Sequence, residues 1–151
     1  MLLRRAERED ATAIWELRNS PEVRATSRRR YELDRAEFEQ EIIAAIDDAR
    51  AEVFLAEVGG ETAGYVRIDP RGTPDEFEIG IAVASAWRGR GIGTAAIAEA
   101  TDSFLASRPE AVILALVRPE NAGSARAFVS AGYRPAGESG EFYVYRAERG
   151  R

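Results

Sequence analysis

Hydrophobic and polar positions change their spacing several times along this chain, and each change predicts an element of secondary structure. Apolar residues at helical spacing predict helices over residues 9–18, 35–48, 94–107 and 122–130. Alternating or continuous apolar runs predict strands over residues 2–6, 51–58, 62–69, 76–84, 111–117, 134–138 and 141–146. Residues 22–31 are expected to be irregular or partly helical. The order β-α-α-β-β-β-α-β-α-β-β predicts one α/β domain over residues 1–151, a mixed sheet with helices on both faces.

Cap and turn residues mark several boundaries of these elements. Asp34 precedes the second helix as an N-cap, and Gly132 follows the last helix as a C′ glycine. Gly59-Gly60-Glu61 signals a hairpin between two strands, and Ser139-Gly140 turns the terminal hairpin. The continuous apolar run at 111–117 is typical of a strand that is buried on both faces.

Composition narrows the classes of function. The formal net charge is −5, which argues against a general nucleic-acid binder, since such proteins are normally basic. No apolar run approaches the roughly 18 residues of a membrane helix, and no signal-peptide pattern precedes Arg4 and Arg5. The chain has no cysteine, so a disulfide framework is excluded. We therefore expect a cytoplasmic protein that binds neither membranes nor nucleic acids.

The absent residue types exclude several catalytic chemistries. Histidine, cysteine and lysine do not occur, and all 21 basic residues are arginine. A Ser-His-Asp triad, a histidine base, a cysteine nucleophile, a Schiff-base lysine and a P-loop lysine are therefore excluded. A metal site built on histidine or thiolate is excluded as well, and no metal is expected. Acid–base chemistry must use Glu, Asp, Tyr, a chain terminus or water.

The segment from Ile81 to Thr94, I-A-V-A-S-A-W-R-G-R-G-I-G-T, carries the strongest candidate chemistry. A strand, a glycine turn and a helix start follow one another here, which aims backbone N–H groups and a helix dipole at one spot. Such a spot binds phosphate. The glycines let the backbone approach a ligand, and Arg88 and Arg90 add charged donors. An ordinary tight loop is the competing interpretation, and this motif alone does not decide between the two.

Two motifs in a fixed order resemble those of the GNAT superfamily of acyl-CoA-dependent N-acetyltransferases. Residues 88–93, R-G-R-G-I-G, fit the family's pyrophosphate motif R/Q-x-x-G-x-G/A, preceded by the strand end Ala82-Val83. A second family signature is matched by Val117, Asn121, Ser124, Phe128 and the pair Gly132-Tyr133. The resemblance covers most of the chain and is sharpest from Glu76 to Tyr133. It implies an N-acetyltransferase that uses acetyl-CoA as its co-substrate.

The resemblance also implies where acetyl-CoA binds. In the family, a mainly antiparallel twisted sheet contains a splayed parallel strand pair, and pantetheine lies between these strands like an extra strand. Residues 78–83 would bind it through their backbone, a bulge near Gly80 would suit the splay, and an N–H near residues 81–83 would face the thioester carbonyl. Asn121 is expected to cap a helix and touch pantetheine, although capping alone would explain it. The expected cofactor-binding residues are Ile81, Ala82, Val83, Arg88, Gly89, Arg90, Gly91, Ile92, Gly93, Thr94, Asn121 and Ser124.

A dinucleotide-binding loop is the rival interpretation of R-G-I-G-T-A-A-I-A. That motif, as in short-chain dehydrogenases, requires a glycine four residues before Gly91, where this chain has Trp87. The Y-x-x-x-K pair of those enzymes is impossible without lysine. The dinucleotide interpretation therefore fails.

The absence of cysteine excludes an acyl-cysteine intermediate, so direct attack of an amine on acetyl-CoA in a ternary complex is expected. Glu78, near the cofactor crossing, is the first candidate for the catalytic base, acting through water. Glu76 is the second, and a solvated strand carboxylate is the alternative for both. In many relatives a tyrosine serves as the general acid for the leaving thiolate at the position where this chain has Phe128, for which core packing is favoured. The identity of the general acid is therefore open. Three other tyrosines could take this role, although no spacing argument supports them: Tyr133, Tyr143 and Tyr145. Core packing also explains Tyr133.

The acceptor is open at this stage. Residues 17–24, L-R-N-S-P-E-V-R, resemble two branches of the family, one acting on nucleotide-linked amino sugars and one on N-terminal amines of ribosomal proteins. Arg24 and the run 28–30 lie where relatives build the acceptor side, although a charge run is also typical of a solvated surface. We expect a small-molecule or peptide amine: a small amine, an amino sugar or an N-terminal α-amine. A catalytically silent acyl-CoA-binding sensor or partner domain is the alternative, and a homodimer through the terminal hairpin is compatible with the sequence.

Overall fold

The computed structural model describes residues 1–150, through which one seven-stranded sheet runs. Its strands are β1 (Leu2–Arg5), β2 (Glu52–Val58), β3 (Glu61–Pro70), β4 (Glu76–Val83), β5 (Val112–Val117), β6 (Arg134–Ser139) and β7 (Phe142–Glu148). The strand order is β1-β2-β3-β4-β5-β7-β6. Within residues 1–150, β4 and β5 pair in parallel and all other neighbours are antiparallel. The mixed, mainly antiparallel α/β sheet predicted above is confirmed.

Helices pack on both faces of the sheet, as predicted. They are α1 (Ala11–Arg18), α2 (Pro21–Thr26), α3 (Arg35–Asp47), α4 (Ile92–Ser107) and α5 (Ala122–Ser130). One core, under α1, α2 and α3, contains Leu55 and Tyr65, and this side is called the α1 face. The other core, under α4 and α5, contains Val66 and Ile113, and this side is called the α4 face. None of the helices in residues 1–150 has both the length and the apolar character needed to cross a bilayer.

Local signals in the sequence explain several helix boundaries. Asp34 caps α3, since its side chain accepts a hydrogen bond from the Glu37 N–H at 2.9 Å. Gly132 follows α5 with a φ of 106°, a conformation that favours glycine. Pro21 starts α2, where its missing N–H does no harm, so the stretch expected to be partly helical contains a short helix.

The apolar strand β5 is fully buried on one face only, so the expectation of burial on both faces is wrong. Ile113, Ala115 and Val117 are buried on the α4 face, whereas Leu114 and Leu116 are half-buried on the α1 face. The reason is that the core under α1, α2 and α3 draws on β2, β3 and β4 and includes no described residue of β5. The sheet is therefore only partly covered on the α1 face at β5.

β4 and β5 pair over a short stretch and then separate. Their parallel pairing joins residues 76–78 to residues 112–114, although β4 continues to Val83 and β5 continues to Val117. The two strands are thus unpaired with each other along their carboxyl-terminal halves. The splayed parallel pair implied by the resemblance is present.

Gly80 on β4 does not mark a bulge, and that expectation is wrong. β3 and β4 keep one continuous register from Phe77 to Val83. Gly80 lies opposite Arg67, and a Cβ on Gly80 would meet the Arg67 Cγ at 3.9 Å, an ordinary contact. The gap therefore opens because β5 leaves β4, and not because β4 carries an extra residue.

Candidate active site

A cleft of about 730 Å³ opens where β4 and β5 diverge. Its walls come from α2, the end of β4, the glycine turn, the start of α4, and α5 with the loop before it. The predicted cofactor-binding residues that line it are Ile81, Ala82, Val83, Arg88, Gly89, Gly91, Ile92, Gly93, Thr94, Asn121 and Ser124. Two of the predicted site residues, Arg90 and Glu78, do not line the cleft. The fold thus brings the two sequence motifs to one cavity.

The start of α4 presents free backbone donors to the cleft. Gly91 is the N-cap, with a φ of 78°. Because glycine has no side chain that could accept a hydrogen bond from the first turn, no side chain caps this end of the helix. The first helical hydrogen bond runs from the Ala95 N–H to the Gly91 carbonyl at 3.1 Å. The N–H groups of Ile92, Gly93 and Thr94 therefore have no acceptor within the helix. With the positive end of the helix dipole, they form a site suited to a phosphate group.

Three arginines near this helix end have no carboxylate partner. Arg88 donates its Nε–H to the Val83 carbonyl at 3.2 Å, which holds its side chain against the end of β4. Arg90 stacks on Trp87, with its guanidinium carbon 4.9 Å from the ring centroid. Arg126 of α5 lines the cleft and was missed by sequence reasoning, although it lies inside the second motif. In residues 1–150 none of the three arginines forms an ion pair, so their charges are available to an anion.

The backbone of β4 has free groups along the gap. The Ala84 N–H donates to the Ala63 carbonyl of β3 at 2.8 Å. Because residues of an antiparallel ladder alternate in direction, the backbone groups of Ala82 also point to β3, whereas those of Ile81 and Val83 point into the gap. The Val83 carbonyl is occupied by the arginine described above. Ile81 lies beyond the last β4–β5 pair, so its N–H is a free donor there.

Asn121 caps α5, as predicted. Its Oδ1 accepts a hydrogen bond from the Ser124 N–H at 3.2 Å. Both residues line the cleft. The Asn121 amide group has no acceptor among residues 1–150 in this structure and can donate to a ligand. Its contact with pantetheine stays a prediction.

Glu78 stands at the fork of the two strands, on the α1 face. It pairs with Leu114 at the last parallel step before the splay. Arg28 donates to its Oε1 at 2.7 Å, and Arg71 donates to the same oxygen at 3.0 Å. Glu76 pairs with Arg71 and is more exposed, at 39% of its side chain against 22% for Glu78. Across residues 1–150, no three metal-ligating side chains come together in a way that could hold a metal ion.

The residue at the family's tyrosine position belongs to the core. Phe128 is 2% exposed and packs edge-to-face against Tyr133, with ring centroids 5.1 Å apart. The Tyr133 hydroxyl hydrogen-bonds with Thr101 Oγ1 at 2.8 Å, and burial raises the pKa of this phenol well above its ordinary value. Core packing is confirmed for Phe128 and Tyr133. Neither of them lines the cleft, and the same holds for Tyr143 and Tyr145.

Ion pairs and hydrogen bonds of several arginines hold the loop between α2 and α3 beside the cleft. Each residue of the run 28–30 pairs with a carboxylate, and the partners in order are Glu78, Glu41 and Glu120. Arg118, which sequence reasoning missed, is 8% exposed and donates to the carbonyls of Ser27 and Arg28 at 2.7 and 2.9 Å. It also pairs with Glu141 at 2.6 Å. The arginine run is exposed, at 54%, 37% and 50% of its side chains in order, but its charges are paired and it is not a set of free cations.

The fold and the cleft together define the class of protein. A splayed parallel pair, a glycine turn that enters a helix, and a second helix capped by Asn121 are the arrangement expected of an acetyltransferase of the GNAT type. The family model described as the acetyltransferase (GNAT) domain matches residues 1–134. The chain therefore belongs to the GNAT acetyltransferase family, and the resemblance is confirmed. None of the curated proteins compared with the chain matches it in sequence.

Solved structures of similar fold include acetyltransferases that act on different acceptors. Aminoglycoside acetyltransferase AAC(6')-Ib in complex with coenzyme A is 18% identical, with a TM-score of 0.80 and coverage of 97% of this chain and 94% of that chain. Ribosomal-protein-alanine N-acetyltransferase from Brucella melitensis is 24% identical, with a TM-score of 0.80 and 97% of each chain covered. Mycobacterium smegmatis RimJ in complex with CoA-disulfide is 24% identical, with a TM-score of 0.78 and coverage of 97% and 81%. At these identities the likeness establishes a shared fold.

Proposed function

We propose that this GNAT protein transfers the acetyl group of acetyl-CoA to a primary amine by direct attack in a ternary complex. The observation that carries the proposal is the cleft at the fork of β4 and β5, into which the open start of α4 points its N–H groups. Membership of the acetyltransferase family supports the reaction type. Two of the three similar structures described above contain coenzyme A or its disulfide, which supports the donor.

In this proposal acetyl-CoA spans both motifs. Its diphosphate lies on the first turn of α4, where free N–H groups and Arg88 bind it, and Arg126 adds positive charge from α5. Its pantetheine follows the unpaired edge of β4 and receives a hydrogen bond from the Asn121 amide. The acetyl carbonyl faces the Ile81 N–H, the free donor in the gap.

The reaction forms a bond between the amine nitrogen and the acetyl carbon and breaks the carbon–sulfur bond. The charge that develops on the carbonyl oxygen is stabilised by the Ile81 N–H. The leaving thiol resembles cysteine, with a pKa of about 8.5, so its thiolate is a tolerable leaving group. Water can protonate that thiolate, which is compatible with Phe128 at the position where relatives have a tyrosine.

The acceptor amine must lose a proton before it attacks. At pH 7 this costs roughly 4.6 kcal/mol for a lysine-like amine of pKa about 10.4, but only about 1 kcal/mol for an α-amine near 7.8. The chain has no histidine, so Glu78 at the fork is the proposed base and receives the proton through water. An amine of low pKa is therefore favoured. Both an amino sugar and an N-terminal α-amine meet this requirement, and enzymes for each occur among the similar structures.

A thermal-shift titration with acetyl-CoA, with NADP in parallel, tests the donor. Ligand at 100 times its Kd adds about 2.7 kcal/mol, which raises the Tm of a chain of this size by roughly 5–11 °C. We expect this shift with acetyl-CoA and none with NADP. No shift at millimolar acetyl-CoA would contradict the proposal. Release of free thiol in the presence of an amine then separates an enzyme from a silent sensor, which would bind acetyl-CoA without consuming it.

A further inference from the structure

Arg18 is a buried cation without a counterion. It is the last residue of α1 and is 8% exposed. Within residues 1–150 its guanidinium makes one hydrogen bond, from Nη1 to the Ser27 hydroxyl at 3.0 Å. A guanidinium carries five N–H donors, so most of those of Arg18 have no acceptor. A buried charge is costly unless it is paired and hydrogen-bonded, so an anion bound to Arg18 would stabilise this charge.

Arg118 is a buried arginine of the same protein whose charge is paired and whose guanidinium nitrogens all donate hydrogen bonds. It is equally buried, but it pairs with Glu141 and donates to two backbone carbonyls of the α2–α3 loop. The arginines at 28–30 in that loop are also paired with carboxylates. In the part of the chain that the structure describes, Arg18 has no such partner. The run at 28–30, where the sequence suggested acceptor contacts, is already neutralised.

A second guanidinium, on the helix that follows, is also incompletely bonded. Arg24 of α2 has no carboxylate partner among residues 1–150, and its Nε is sealed from solvent without a hydrogen-bond partner. None of the unbonded nitrogens of Arg18 is sealed in this way, so they keep contact with solvent. An anion that enters from solvent can therefore reach Arg18, and Arg24 adds positive charge from α2.

The contacts of Arg18 place it beside the cleft on the α1 face. Its hydrogen-bond partner Ser27 lines the cleft. Tyr65 pairs across the strands with Ala82, which also lines the cleft. Burial raises the pKa of the Tyr65 hydroxyl, and the positive charge of Arg18 is close enough to oppose that rise. The guanidinium thus lies on the same side of the sheet as Glu78, the proposed base.

We propose that Arg18 binds an anionic group, a phosphate or a carboxylate, that the acceptor amine carries. Both groups present paired oxygens, which a guanidinium binds through two parallel charge-assisted hydrogen bonds. The inference rests on the proposed function and narrows its acceptors to amines that also bear an acid. It assigns a recognition role to α1 and α2, whereas the donor site is built from β4, α4 and α5.

Matched pairs of acceptors test this inference at saturating acetyl-CoA. Glucosamine 6-phosphate is compared with glucosamine, and the dipeptide amide Ala-Glu is compared with Ala-Gln, so that the pairs distinguish phosphate from carboxylate. We expect kcat/KM for at least one anionic member to exceed that of its neutral partner roughly tenfold to hundredfold. Arg18→Gln should abolish this preference, and Arg18→Lys should keep part of it. Arg8→Gln, which removes an exposed charge paired with Asp47, should leave it unchanged.

Equal kcat/KM within both pairs, or a preference that survives in Arg18→Gln, would overturn the inference. If none of the four compounds is turned over, calorimetric binding to the CoA-loaded protein replaces kcat/KM, with the same expectations. Folding of Arg18→Gln is checked by its acetyl-CoA-induced Tm shift, which should equal that of the wild type. If Arg18→Gln does not fold, the test is made with Arg18→Lys. A preference for anionic acceptors equal to that of the wild type would then overturn the inference. Failure of the proposed function is distinct, since acetyl-CoA would then neither raise the Tm nor be consumed.

Discussion

Arg88 and Val83 are joined by a hydrogen bond from the guanidinium to the last backbone carbonyl of β4. This contact ties the glycine turn to the strand edge that faces the gap. One side chain therefore touches the end of β4 while its remaining donors stay available near the start of α4. The two structural parts of the proposed donor site are held together at this point.

Arg88→Gln is expected to raise the Kd for acetyl-CoA roughly tenfold, because it removes a charged donor worth about 1.5 kcal/mol. Isothermal calorimetry measures the change. Arg35→Gln is the matched control, since it removes the same charge from an exposed pair with Glu39 on α3. Equal Kd values for the Arg88 variant and the wild type would contradict this placement of the diphosphate.

Gly91→Ala is expected to destabilise the protein by about 1–2 kcal/mol, because Gly91 has a φ of 78° and a Cβ is disfavoured there. The Tm should fall by roughly 2–8 °C, and acetyl-CoA should bind more weakly because the N–H groups of α4 shift. Gly72→Ala is the control, since Gly72 lies outside the left-handed region and has open space around it. Similar Tm and Kd values for the two variants would refute the role of the turn.

Glu78→Gln is expected to lower kcat by roughly 10²- to 10⁴-fold, the range typical of a lost general base. The Kd for acetyl-CoA should stay unchanged, because Glu78 does not line the cleft. Glu76→Gln, two residues earlier on the same strand and face, should keep most of the activity. If Glu78 acted only by holding Arg28, Arg28→Gln would lose as much activity as Glu78→Gln, and that result would count against the base.

Asp10 is expected to make stability depend on pH. Arg4 donates to its carboxylate at 2.9 Å, and this hydrogen bond lowers the pKa of Asp10 below its ordinary value. A carboxyl group with a lowered folded-state pKa stabilises the fold above its unfolded pKa of about 3.9 and loses that contribution as pH falls through the folded value. Asp10→Asn should therefore cost about 1–2 kcal/mol at pH 7 and less below about pH 4. Urea unfolding at pH 7 and pH 3 measures this, and a cost independent of pH would rule it out.

Features set by neighbouring residues could be predicted from the sequence, whereas contacts between distant residues could not. The caps at Asp34 and Asn121 depend on donors three residues away, and both predictions are confirmed. The one-sided burial of β5 could not be predicted, because every position of the strand is apolar and the position of α1–α3 decides which face is covered. Arg118 was missed because it donates to Ser27, which is 91 residues away in sequence. The free charge of Arg18 likewise depends on which carboxylates the fold places elsewhere.

Several other expectations stay predictions: the cytoplasmic location, the single domain over residues 1–151, and the homodimer. The terminal hairpin of β6 and β7 is the surface suggested for the homodimer. β6 is one of the two edge strands of the sheet, and all of its residues are exposed. Pro135 in it has no N–H, and the pairing of β6 with β7 shifts register between Pro135 and Glu138. Such features blunt a sheet edge against pairing with another copy.

β7 lies inside the sheet, between β5 and β6, although it is the last strand described along the chain. It pairs with β5 over residues 112–117 and with β6 on its other side. During synthesis from the amino terminus, β5 therefore keeps an open edge until residues 142–148 have left the ribosome. A nascent chain therefore carries both cofactor motifs before β7 can join the sheet, and the β5 side of the cleft gains its second neighbouring strand only after residues 142–148 have been synthesised.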